Sequence, residues 1–103
     1  MQLYVCRDSC CAQDDQIGPL DGYFEFHDHI SFEHVIQHLL NISFFPHTAT
    51  HNHIIGKTGK HNVVEILLPN DKIFYHVLKN RFAKNIIQNN SLYFEYTYLR
   101  YPR

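Results

Sequence analysis

Nine histidines and three cysteines among 103 residues are the side chains best able to do chemistry here. His27 and His29 are two apart, as are His51 and His53, so each pair shares a face in extended chain. His34 and His38 are four apart, neighbours on a helix. Imidazole binds zinc, copper or nickel, and Cys10, Cys11 or Asp28 could supply a further ligand. None of these spacings is a two-part ligand signature. There is no CxxC, and Glu33-His34 is not part of an HExxH motif. Histidines satisfied by water are therefore expected, with no metal and no cofactor; a histidine-based metal-binding protein is kept as an alternative.

Cysteine chemistry is the next candidate. A thiolate from Cys6, Cys10 or Cys11 with a histidine as base is an activated nucleophile in principle. With this many cysteines and histidines, accidental pairings are numerous, so no catalytic residue is assigned and a binding protein is expected over an enzyme. An odd cluster of three cysteines is also a poor disulfide framework, which points to free thiols in a reducing compartment. Gly56-Lys57-Thr58-Gly59-Lys60 has neither the four-residue gap nor the GK[ST] order of a phosphate loop and reads as a basic hairpin turn.

Charge is the clearer signal. The formal net charge of −1 conceals two unlike parts. In residues 1–33 the acids Asp8, Asp14, Asp15, Asp21, Glu25, Asp28 and Glu33 face a single base, Arg7, for a net of −6. Residues 34–103 carry eight lysines and arginines against three acids, a net of +5. An acidic front suits a basic protein partner by steering its approach, with Tyr4 or Tyr23 as a partly apolar contact inside the polar rim. The expected function is thus a small cytoplasmic protein-binding protein. Its most concrete form is an immunity- or antitoxin-type inhibitor of a basic nuclease or toxin. The alternative is nucleic-acid binding through Lys57, Lys60, Lys79, Arg81 and Lys84, with tyrosines stacking on bases; no recognition-helix or RNA-binding signature accompanies these residues.

These residues need a scaffold. The length suits one domain, residues 1–103, and the 45% hydrophobic content argues against disorder. Met1–Cys6 is a short apolar pattern without a basic leader, so no secretory signal is expected, and no run is long enough to span a bilayer. Strands are expected at 2–6, 22–27, 53–56, 62–68, 72–78 and 92–99. The densest β-branched run is Val63-Val64-Glu65-Ile66-Leu67-Leu68, ended by Pro69-Asn70-Asp71. A helix is expected at 31–41, with Ser31 as its cap and Phe32, Val35, Ile36 and Leu39 as its apolar stripe. The spacing of Phe82 and Ile86 predicts a second helix over 80–88. Because Phe74 and Leu78 continue that spacing, a single helix over 71–88 competes with the hairpin. The expected fold class is α+β: a mainly antiparallel sheet packed against at least two helices.

Overall fold

The computed structural model describes residues 1–8, 20–46, 52–68 and 70–97. Among these residues six strands form one sheet: β1 (Gln2–Arg7), β2 (Asp21–Glu25), β3 (His53–Thr58), β4 (His61–Leu67), β5 (Lys72–Tyr75) and β6 (Ser91–Thr97), in the spatial order β2-β1-β6-β3-β4-β5. The pairings are antiparallel except that of β1 with β6, which is parallel. One α-helix among the described residues, α1 (Phe32–Asn41), follows β2.

Alternation along the strands builds the core. Leu3 and Val5 of β1, Leu92, Phe94 and Tyr96 of β6, Ile54 of β3 and Ile66 of β4 are buried and pack with Phe32, Val35, Ile36 and Leu39 of α1. Phe44 and Phe45, just past the helix, join this core, the Phe45 ring lying 4.7 Å from that of Phe94. Each fully buried aliphatic or aromatic side chain contributes roughly 1.5–3 kcal/mol. Between Phe94 and Val64 the chain passes as Gly56, where an added β-carbon would lie 2.5 Å from Val64 Cγ1 and 2.8 Å from Phe94 Cε1. Glycine at that point lets two large side chains meet across a third strand. Just beyond it the β3–β4 register shifts, consistent with a bulge, and the adjacent Val63 and Val64 are both buried. Gly59, at φ +59°, then turns the hairpin.

The helix ends are closed by specific partners. Ser31 Oγ accepts from His34 N at 3.2 Å, a cap of the kind worth about 1 kcal/mol. The first two helical amides, of Phe32 and Glu33, donate to the carbonyls of Arg81 and Lys79 at 2.9 and 2.8 Å. At the other end Phe44 N donates to Leu39 O and Ser43 N to Leu40 O, with Ser43 at φ +58°.

Those two carbonyls explain why the expected second helix does not form. After β5 only Ala83–Asn85 is helical among the described residues, as one 3₁₀ turn. Phe82 is extended and bridges Ser31, and Ala83 N donates to Ile30 O at 2.8 Å. The carbonyls of Lys79 and Arg81 and the amide of Ala83 are committed to residues 30–33, so they are not free to extend a helix through 80–88. Phe82 is exposed rather than buried. The long helix over 71–88 is excluded by β5, which pairs with β4 from Val64↔Tyr75 to Leu67↔Lys72. The α+β expectation of a sheet against two or more helices is thereby corrected: the described residues form one six-stranded sheet with one α-helix and a 3₁₀ turn.

Candidate functional site: the open face of the sheet

The helix and the aromatic pair cover one face of the sheet. The other carries the alternate residues of every strand. Register sets Asp21, Cys6, Tyr93 and Lys57 in one row across β2, β1, β6 and β3, with Tyr23 beside Tyr4 in the next. Further along, Glu95, Ile55, Glu65 and Phe74 form another row across β6, β3, β4 and β5. Two groups of side chains result.

The first group is aromatic and acidic. The Tyr4 and Tyr23 rings lie 5.0 Å apart, and Tyr4 OH donates to Asp21 at 2.8 Å. That carboxylate is the main reason the Tyr4 phenol is pushed up to about 12. Tyr93 OH donates to Asp8, whose second oxygen accepts from Tyr96 N at 3.2 Å. Tyr23 is 69% exposed and Tyr93 38%, and Glu25 is exposed on the same strand face as Tyr23. Cys6, between Asp21 and Tyr93, is half-buried. Burial first, then Asp21 and Asp8, raise its thiol pKa, so its surroundings oppose the thiolate a nucleophile needs.

The second group is a hydrogen-bonded chain across three strands and the residue that follows β5. Thr97 Oγ1 meets His53 Nδ1 at 2.6 Å, His53 Nε2 meets Glu65 Oε1 at 2.8 Å, and Glu65 Oε2 meets His76 Nε2 at 2.5 Å. Both imidazoles thus donate from Nε2 to one carboxylate, and the hydroxyl serves the remaining His53 nitrogen. The order hydroxyl, imidazole, carboxylate matches that of a hydrolytic triad. Yet Glu65 is shared between two histidines and the Thr97 hydroxyl also reaches the His53 carbonyl at 3.3 Å. The arrangement ties β6, β3 and β4 to the residue that follows β5. The two imidazoles hold the Glu65 carboxyl below its ordinary value of 4.5. A carboxylate depressed in the folded state stabilises above the ordinary value, and that stability is lost as pH falls through the folded value. Glu65→Gln should therefore cost about 1–2 kcal/mol near neutral pH, and the gap should close as urea titrations move from about pH 7 to about pH 3.

The other acids expected at a partner surface are placed differently. Asp28 accepts from the chain's own N-terminal amine at 2.8 Å, which lowers its pKa. Glu33 pairs with Lys79 at 3.2 Å on the helix side. Asp14 and Asp15, with Cys10, Cys11, His47 and His51, lie outside the described residues. The structure thus gathers Asp8, Asp21, Tyr23 and Glu25 and separates Asp28 and Glu33 from them. The basic set divides as well. Lys57 pairs with Glu95 at 3.0 Å on the open face, Lys60 sits in the β3–β4 turn, and Lys84 lies 5.8 Å from the Phe82 ring.

No family of known proteins matches. Neither a protein-family model, nor a curated protein, nor a solved structure corresponds to the chain. Among the described residues no group of three or more histidines, cysteines and acids is arranged to hold a metal ion, and no helix is long and apolar enough to cross a membrane.

Sequence reasoning did not assign Tyr93 to this surface, and it weighed Cys6 only as a nucleophile. The antiparallel β1–β2 pairing sets Tyr4 beside Tyr23 and Cys6 beside Asp21, and the parallel β1–β6 pairing adds Tyr93 to that row.

Proposed function

We propose that this protein is a small cytosolic protein-binding module that holds a basic partner on the open face of its sheet. The observation that carries the reading is Tyr23, a large aromatic left 69% exposed against Tyr4 and flanked by Asp21 and Glu25 on an edge strand. Tyrosine is favoured at interface hot spots because it contributes area with little loss of side-chain freedom, and its hydroxyl accepts a wet rim. The acids of the open face outnumber its lysines: Asp8, Asp21, Glu25, Glu65 and Glu95 share it with Lys57 and Lys72, and of these Asp21 and Glu25 flank Tyr23 while Glu95 pairs with Lys57 and Glu65 with two histidines. Charge complementarity therefore selects a cationic surface. Inhibition of a basic nuclease or toxin, by covering the cleft that binds nucleic acid, is the concrete form of this function.

The test is capture of a stoichiometric partner from native cell extract, or direct trial of the product of an adjacent gene, followed by amide-shift mapping and stopped-flow association. A basic partner shifting β1, β2 and β6 amides, with association slowed as salt rises, supports the reading. A partner that maps to the helix side, or whose association is indifferent to salt, removes it.

A further inference from the structure

A cavity of about 610 Å³ lies between the end of the β3–β4 hairpin and the chain that follows β5, with Tyr75 and His76, the latter bonded to Glu65 on the open face, among its lining residues. Its volume falls in the range of small-molecule sites. Val63, Val77 and Ile86 give it an apolar wall, and Leu78 stands at it 66% exposed. Arg81, His61 and Asn85 bring polar groups to the same space, and none of the described residues lining it is an acid.

The positions are fixed from beneath. Arg81 N donates to Leu78 O at 3.0 Å, Arg81 O is held by the first amide of α1, and Asn85 N donates to Phe82 O at 3.0 Å. Thr58, buried in the hairpin end, accepts from Gln88 N at 2.6 Å and so fixes the opposite side. The guanidinium has no ion-pair partner among the described residues, whereas the nearby Lys79 has Glu33. An arginine lining a cavity with an apolar wall, and with no acid among the described residues that line it, matches one ligand chemistry: a carboxylate on an apolar body.

We propose that this cavity binds a small organic acid, its carboxylate on Arg81 and its apolar part against Val63, Val77 and Leu78. A bidentate guanidinium–carboxylate contact orients the ligand, and covering Leu78 removes exposed apolar surface from water.

The test is amide-shift titration of the full chain with 4-phenylbutyrate, with its neutral analogue 4-phenylbutyramide and with inorganic phosphate. Saturable shifts at Val77, Leu78, Arg81 and Asn85 with the acid are expected, with the amide weaker by about tenfold or more. Arg81→Met should abolish that preference while leaving the dispersion of the spectrum intact, because Arg81 is exposed. Equal binding of acid and amide, shifts elsewhere, no binding of the acid, or a phosphate response equal to that of the acid would each overturn the proposal.

Discussion

Replacing Gly56 by alanine should destabilise the protein by about 3 kcal/mol, more than an ordinary surface substitution by a wide margin. The added methyl would sit 2.5 Å from Val64 Cγ1 and 2.8 Å from Phe94 Cε1, closer than β-carbons approach other atoms. Both neighbours are fully buried side chains in the two strands flanking β3, so neither has free space into which to swing. Relief requires β3 to part from β4 or β6, loosening the middle of the sheet. Thermal unfolding followed by circular dichroism should show a midpoint lower by roughly 10–20 °C, given the usual scaling for a domain of this size. The double variant Gly56→Ala/Val64→Ala should recover part of that loss, since it removes the nearer obstacle. A single variant as stable as the parent would mean that the strands adjust without cost, and the packing account of Gly56 would fail.

Tyr23→Ala should have the opposite profile, with little effect on folding and a large one on binding. A residue 69% exposed contributes little to the core, so the unfolding midpoint should move by an amount equivalent to about 0.5 kcal/mol or less. Truncating a central aromatic of a protein interface typically costs about 2 kcal/mol or more, near thirtyfold in affinity. That loss should fall mainly on dissociation. Glu25→Lys, on the same exposed strand face, should act chiefly on association and should reduce its salt dependence. Calorimetry and stopped-flow measurements with the captured partner separate the two effects. If Tyr23→Ala binds as tightly as the parent, the open face is not where the partner sits.

The contrast between α1 and the chain after β5 shows what was legible in the sequence. Ser31, Phe32, Val35, Ile36 and Leu39 specify their helix locally: a cap, a stripe and a length that suffices. The strands around Val63–Leu68 and Leu92–Tyr96 were equally local, because β-branched density and alternation need no partner to be read. Phe82 and Ile86 have helical spacing too, but the carbonyls of Lys79 and Arg81 are taken by the amides of Glu33 and Phe32, far earlier in the chain. No window of sequence contains that competition.

The same division holds for the open face. Tyr23 and Glu25 could be placed on one side of one strand, whereas Asp21 fell before the expected strand and Glu65 between His53 and His76 depends on the register of β3, β4 and β5. The concentration of acids in the first third overstated the field: Asp28 and Glu33 are engaged with the N-terminal amine and Lys79. The cavity at Arg81 had no sequence signal, because it exists only where 77–86 fails to form the helix its spacing suggests.

The parallel seam between β1 and β6 has a consequence for biosynthesis. Strands β1 and β2 form one flank of the sheet and β3, β4 and β5 the other, and β6 is the strand that joins them. As a nascent chain leaves the ribosome, each flank can pair within itself, yet the two have no common hydrogen-bonded ladder until residues 91–97 emerge. Among the described residues the joining of the two flanks therefore waits on β6, and a chain stopped before residue 91 lacks the strand that pairs with the inner edges of β1 and β3.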